Sequence, residues 1–136
     1  MKKKGQLSLE YLLLLLASFS VFAMLFPLLN NVYQAALFGF DSANARSFTA
    51  LLQNSVNEMS FQADGSRHFV SAHPSSNWKI SCLGKILSVE VAGPESKKKQ
   101  FRVLFPNELK ELNLAIEKQT DFLLEKSSGK ITLVHN

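Results

Sequence analysis

The sequence predicts an α+β protein in which one long N-terminal hydrophobic helix packs on a small antiparallel β-sheet head. Two observations support this class. The apolar segment Tyr11–Leu29 is interrupted by two polar residues, Ser18 and Ser20. After Asp64–Gly65 the pattern changes to short alternating stretches, which is typical of strands with one buried face: HFVSA, WKISC, KILSVEVAG and QFRVLF. A chain of 136 residues suits one small domain with an appendage.

The first element is a segment with the length of a membrane span. Tyr11–Leu29 would extend roughly 28 Å as a helix, close to the ~30 Å thickness of a bilayer core. Lysines before a span stay on the cytoplasmic side, and Lys2–Lys4 precede this one. We therefore expect a single-pass membrane precursor with a cytoplasmic N-terminus. Much of the net charge of +4 lies in these lysines, and we expect Lys97–Lys99 to form a solvated turn without a nucleic-acid role.

Glu10 stands at the start of this apolar segment, where a carboxylate is costly. A conventional cleaved signal has a shorter apolar core and a small-residue cleavage site, neither of which is present. An uncleaved anchor explains Lys2–Lys4 but gives Glu10 no role. Ionisable residues in membrane segments usually have a partner. A cut after Gly5 would create one, the α-amino group of Gln6, and the two groups could pair within one chain or between neighbouring chains.

The stretch G-Q-L-S-L-E-Y resembles the class III signal peptide of archaeal type IV pilin-like proteins. In that family a glycine is followed by Q-x-S-x-E and then Y or F, between lysines and a leucine-rich helix. The matching residues here are Lys2, Lys3, Lys4, Gly5, Gln6, Ser8, Glu10 and Tyr11. The resemblance covers the leader and the first helix. It implies that a prepilin peptidase cuts between Gly5 and Gln6, and that the apolar segment stays on the mature protein as an anchor and then a filament core. It also implies that Glu10 neutralises the N-terminal amine of an adjacent subunit.

Pro27 lies inside the apolar segment. Bacterial type IV pilins carry a proline at a similar depth, and a proline there removes a backbone donor and bends the helix. We therefore expect a helix kink at Pro27; the alternative is a helix start or a turn outside the membrane. The apolar segment also contains four small residues: Ala17, Ser18, Ser20 and Ala23. Small residues let helices approach closely in lipid, but they are equally consistent with a membrane span that packs against no other helix.

Helical spacing resumes after Pro27 and continues to about Met59. Gly39 and the FDSAN stretch are candidates for an interruption, with Asp41 or Ser42 capping a second segment. The apolar residues at helical spacing are Leu37, Phe40, Phe48, Leu51, Leu52, Val56 and Met59. The polar residues expected on the solvent-exposed face of the helix are Asn30, Asn31, Gln34, Asn44, Gln53, Asn54 and Asn57.

The C-terminal half is divided by turn signals. Gly84 predicts a tight turn, Gly93–Glu95 begins a loop, Pro106 closes a strand and Ser128–Gly129 turns a hairpin. Residues 109–117 suit a helix or a strand, and we favour a turn followed by a strand. The predicted organisation is a cleaved leader (1–5), a membrane and filament-core helix (6–29), its amphipathic continuation (30–63) and an extracellular β head (64–136).

The sequence offers little sign of catalysis. The histidines His68, His73 and His135 lack companion ligands in a metal-binding pattern, and Cys82 is expected to be a buried thiol. We expect no cofactor, no metal and no enzyme activity. The sequence contains no N-x-S/T glycosylation site.

The preferred interpretation is a structural subunit of an archaeal type IV pilus-like surface filament. Its partners would be other copies or related pilins, the prepilin peptidase, the membrane and the pilus assembly machinery. Archaeal surface pilins often carry N-glycans, so the missing glycosylation site favours a minor subunit, for example one specialised for adhesion. The alternative is an uncleaved, membrane-anchored extracellular binding module that forms no filament.

Overall fold

The computed structural model describes the backbone of residues 2–135 and the side chains of residues 8–135. The described chain forms one α-helix, α1 (Lys2–Phe61), one short 3-10 helix (Pro94–Ser96) and seven strands: β1 (Arg67–Ala72), β2 (Trp78–Leu83), β3 (Ile86–Ala92), β4 (Lys98–Leu104), β5 (Leu112–Ile116), β6 (Thr120–Ser127) and β7 (Lys130–His135). The α+β class is confirmed. The chain divides into two compact units, Met1–Gln34 and Ala35–Asn136.

Helix α1 is continuous through the positions where an interruption was a candidate. Gly39 and the FDSAN stretch lie inside it, so neither interrupts the helix. Asp41 does not cap a helix either. It is fully buried, and its Oδ1 accepts a hydrogen bond from the Ser75 N–H at 2.6 Å, which fastens the β1–β2 loop to the helix. Ser42 donates its hydroxyl to the Phe38 carbonyl one turn earlier in the helix, at 2.6 Å.

The strands form two antiparallel sheets rather than the one expected. The first has the order β1-β6-β7 and the second the order β4-β3-β2-β5. The chain crosses from the first sheet to the second after β1 and returns after β5. The order of the second sheet places β4 and β5 at its edges. Residues 112–116 form strand β5, which confirms the preference for a strand there.

The core lies between α1 and the two sheets. Its helical side chains recur three or four positions apart, as a buried stripe requires: Ala45, Phe48, Leu52, Val56 and Met59. Phe48 joins both sheets to the helix. Its ring centroid lies 6.3 Å from that of Trp78 on β2 and 5.5 Å from that of Phe122 on β6. Burial of these large apolar side chains drives the packing of the helix on the strands.

Two side chains expected to belong to the buried face are exposed instead. Phe40 is 67% exposed and Leu51 is 55% exposed. Both are apolar, but in α1 they face away from the stripe formed by Ala45, Leu52 and Val56. The apolar pattern of the helix in this unit is therefore wider than the surface that the two sheets cover.

The predicted turns are confirmed. Ser128 and Gly129 have φ angles of 51° and 73° and join β6 to β7, as a two-residue hairpin loop requires. Gly84 has a φ of 62° in the turn between β2 and β3. The end of α1 is held by Lys126, whose Nζ donates hydrogen bonds to the carbonyl oxygens of Ser60 and Gln62 at 3.1 and 2.6 Å.

Candidate assembly surface

The N-terminal part of α1 is an apolar rod with its side chains exposed all round. From Ser8 onward the helix is long and apolar enough to cross a membrane by length and composition. The large exposed side chains of this part include Leu12, Leu15, Phe19, Phe22, Phe26 and Leu29. An exposed apolar surface of this extent is a site for lipid or for other protein chains.

The two hydroxyls within the apolar segment are satisfied by the helix itself. Ser18 Oγ donates to the Leu14 carbonyl and Ser20 Oγ donates to the Leu16 carbonyl, each at 2.9 Å. Bonding of serine to the carbonyl four residues earlier hides the hydroxyl from the surroundings. These residues therefore place no unsatisfied polar group on the rod, and they leave small side chains at its surface.

Pro27 lies inside α1, so a helix start or turn at this residue is wrong. A proline has no N–H, and the carbonyl of Ala23, one turn earlier, therefore loses its helical donor. The kink itself stays a prediction.

The residues of the leader motif lie on the first turns of α1. Ser8, Glu10 and Tyr11 are exposed. The side chains of residues 8–135 give the Glu10 carboxylate no hydrogen bond and no ion pair. Lys2–Lys4 and the two residues predicted to flank a cleavage site, Gly5 and Gln6, lie outside the residues whose side chains are described.

A second surface lies in the unit Ala35–Asn136. There α1 and the edge strand β4 flank an open groove of about 680 Å³, which we call the α1–β4 groove. Its lining on the helix side consists mainly of small residues, with one cation among them: Gly39, Ser42, Ala43, Arg46, Ser47 and Ala50. On the strand side it is lined by Lys99 and Phe101.

The groove is electropositive. Lys99 Nζ lies 5.4 Å from the centre of the Phe38 ring. Among the described side chains, neither Lys99 nor Arg46 has a carboxylate within ion-pair distance, whereas Lys97 and Lys98 pair with Glu95 and Glu90 at 3.6 and 2.9 Å. Of the three consecutive lysines, Lys97 and Lys98 form ion pairs, whereas Lys99 lines the groove.

The sequence did not single out this groove. The helical spacing of four small residues does indicate a helix face that another chain can approach closely: Gly39, Ala43, Ser47 and Ala50. Lys99 gave no such signal, because its direction depends on the register of β4 with β3, in which Lys99 lies opposite Val91.

Neither the histidines nor the cysteine lines the α1–β4 groove. His68 on β1 lies 3.1 Å from the Gln62 side-chain oxygen, and His135 ends β7. Cys82 on β2 is 3% exposed, and burial raises the pKa of its thiol. Within residues 8–135 no three His, Cys, Asp or Glu side chains gather in a cluster that could hold a metal ion.

Comparisons of the chain with protein-family models, with curated proteins and with solved structures give no match. The resemblance to pilin-like leaders therefore rests on the residues from Lys2 to Tyr11 and on the apolar helix that follows them.

Proposed function

We propose that this chain is a structural subunit of an archaeal type IV pilus-like filament. It is inserted in the membrane as a single-pass precursor with its N-terminus in the cytoplasm. A prepilin peptidase cuts it between Gly5 and Gln6, and the mature subunit joins the filament through α1. The head formed by the strands is then displayed at the cell surface.

The observation that carries the proposal is the exposed apolar rod of α1 with Glu10 at its start. A rod of this kind is stable in lipid or against other rods, because water would meet apolar side chains on every side. Glu10 is the only charged residue in the segment from Ser8 to Phe40. An unpaired charge in an apolar surrounding is heavily penalised, whereas a paired charge is tolerated.

The leader residues support the same mechanism. A cut before Gln6 creates a terminal amine four residues upstream of Glu10. In a bundle of parallel rods, the carboxylate of one subunit meets the amine of a neighbour when the two are axially displaced by about one helical turn. The pair then selects the register between subunits, which is the best-attested use of a buried charge.

The first test is the N-terminus of the chain after processing. Membranes that contain the precursor are incubated with a prepilin peptidase, and the product is sequenced from its N-terminus. We expect a new start at Gln6. A start elsewhere, or an intact leader after incubation with an active peptidase, argues for the uncleaved, membrane-anchored binding module instead.

The second test is Glu10→Ala in cells that assemble the filament. The variant should insert and be processed like the wild type, because its leader and apolar segment are intact, but it should not enter filaments. Glu108→Gln is a suitable control, because it removes an exposed carboxylate from the head. Normal filament entry of Glu10→Ala would contradict the proposed role.

The sequence also supports a minor subunit of the same filament, because it lacks an N-x-S/T site. The two possibilities differ in stoichiometry. A building subunit dominates purified filaments, whereas a minor one is scarce in them, so quantitative mass spectrometry of the filaments decides between them.

A further inference from the structure

The unit Ala35–Asn136 carries charges that the described chain does not pair. Arg46 and Lys99 share the α1–β4 groove without a carboxylate. On the acidic side, Glu58, Glu108 and Glu111 have neither an ion pair nor a carboxylate hydrogen bond among residues 8–135. Glu108 and Glu111 flank Lys110 in the β4–β5 connection, so a cation lies next to them in sequence. Glu58 has no basic neighbour of this kind.

Glu58 also has an apolar setting that fits a protein partner. It lies on α1 between Leu51 and Phe61, which are 55% and 94% exposed. At 3.6 residues per turn these three side chains share one side of the helix. They form a ridge, with a carboxylate between two large apolar side chains, which we call the Glu58 ridge.

We infer that the Glu58 ridge of one copy docks in the α1–β4 groove of a second copy, where the Glu58 carboxylate meets Arg46. The inference rests on the proposed function, because membrane insertion in one orientation makes the α1 helices of neighbouring subunits parallel. It adds a contact between the units that begin at Ala35.

The shapes agree with the charges in this parallel arrangement. Glu58 follows Arg46 by 12 positions, so the second copy is displaced by about 18 Å along the helix. It is therefore a different neighbour from the one whose amine meets Glu10, which is displaced by about one helical turn. The same displacement brings Leu51 of the second copy level with Gly39, and Phe61 close to the level of Ala50. The large side chains of the ridge thus meet the smallest side chains of the groove, which lets the two helices approach closely.

This contact cannot form a closed two-fold symmetric dimer. About 12 positions along a helix leave Arg46 and Glu58 about a third of a turn apart around the axis. Each copy therefore offers its groove on one face and its ridge on another. A contact between two different surfaces of the same chain generates a ring or an open helical assembly, and the axial displacement excludes the ring.

A zero-length carbodiimide cross-linker tests the pairing directly, because it joins a carboxylate and an amine that are already in contact. Full-length processed chain in membranes is treated, digested and analysed by mass spectrometry. In the variant Arg46→Lys, which keeps the positive charge and supplies an amine, we expect a peptide that joins Glu58 to residue 46. Within one chain these two positions lie about 18 Å apart along α1, so this link identifies contact between two copies. The wild-type chain has a guanidinium at position 46 and should not give the link.

Charge reversal supplies a second measurement. Glu58→Arg and Arg46→Glu should each reduce the yield of cross-linked oligomers several-fold, because each brings like charges together at the contact. Co-expression of the two variants should restore the yield, since the groove of each then matches the ridge of the other. Glu108→Arg is the control and should leave the yield unchanged. Fluorescence of the buried Trp78 verifies that each variant head is folded.

The outcomes separate this inference from the proposed function. Oligomers of Arg46→Lys that form through α1 without the link from Glu58 to residue 46, or charge-reversal variants that assemble normally, overturn the inference and leave the filament proposal intact. Chains that remain monomeric with every cross-linker overturn both.

Discussion

The side-chain amide of Gln53 pairs with the main chain of Leu104 as a neighbouring strand would. Gln53 Nε2 donates to the Leu104 carbonyl at 3.1 Å, and the Leu104 N–H donates to Gln53 Oε1 at 2.9 Å. Leu104 lies at the end of the edge strand β4, whose outer main-chain groups have no strand partner among residues 2–135. One side chain of the helix thus covers part of a sheet edge. This cover protects the chain, because an uncovered edge is a template for aggregation.

The first prediction concerns this pair. Gln53→Ala should lower the free energy of unfolding of the head by about 1–2 kcal/mol, because both hydrogen bonds to Leu104 and an exposed one to Asn57 are lost. Unfolding of the full chain in detergent is followed by fluorescence of Trp78, the chain's single tryptophan. Asn54→Ala is the matched control, since Asn54 is exposed on the same helix and should change stability by less than about 0.5 kcal/mol. Equal losses in the two variants would show that the Gln53 pair contributes nothing.

The second prediction compares two glycines. A Cβ at Gly93 would lie 2.7 Å from the Phe38 ring, whereas a Cβ at Gly39 has no neighbour within 4 Å. Gly93→Ala should therefore destabilise the head by about 1–3 kcal/mol. Gly39→Ala should stabilise it by about 0.5–1 kcal/mol, because Gly39 lies inside a helix.

Chemical denaturation of both variants, followed by Trp78 fluorescence, gives these differences. Adding Phe38→Leu to Gly93→Ala removes ring atoms next to the new methyl group and should recover part of the loss. A neutral Gly93→Ala would mean that the ring moves aside without cost.

The third prediction concerns pH. The hydrogen bond and the charge of Lys98 hold the pKa of the Glu90 carboxyl below its ordinary value of 4.5. A carboxyl with a lowered pKa in the folded state adds stability above its unfolded pKa, and this contribution is lost as the pH falls through the folded pKa. Lys98→Ala should raise the pKa of Glu90, and its stability deficit relative to wild type should shrink below pH 4.5.

Carboxyl chemical shifts in an NMR titration measure the pKa, and denaturation at neutral and acid pH measures the stability difference. Lys97→Ala serves as the control, because Lys97 pairs with Glu95 at the longer distance of 3.6 Å. A deficit of Lys98→Ala that is the same at both pH values would contradict the linkage.

The fourth prediction concerns the reactivity of Cys82. The thiolate is the reactive form, and burial both raises the pKa of this thiol and blocks access to it. Iodoacetamide at mildly alkaline pH should alkylate Cys82 slowly in the folded chain and rapidly after denaturation. Cys82→Ala combined with Ser81→Cys moves the thiol to an exposed neighbour on the same strand, and it should react rapidly without denaturant. Rapid labelling of native Cys82 would place it at the surface.

Local patterns were enough for most of the elements. The alternation in WKISC and KILSVEVAG predicted β2 and β3, and Ser128–Gly129 predicted the β6–β7 hairpin, because a two-residue loop with positive φ angles has a strong local signature. The candidate interruption near Gly39 does not occur. Glycine lowers helix stability by only about 1 kcal/mol, and the packing of Ala45 and Phe48 below it outweighs that cost.

The sequence by itself determined that this chain has an apolar rod with a carboxylate at its start, because those properties depend on composition and helical spacing alone. The tertiary structure decided where Arg46, Lys99, Gln53 and Asp41 act. Each of these side chains lies beside a segment that is distant in sequence or projects into a groove built from such segments. Such meetings depend on how the strands divide into two sheets and on their register, and a pattern of neighbouring residues does not specify either.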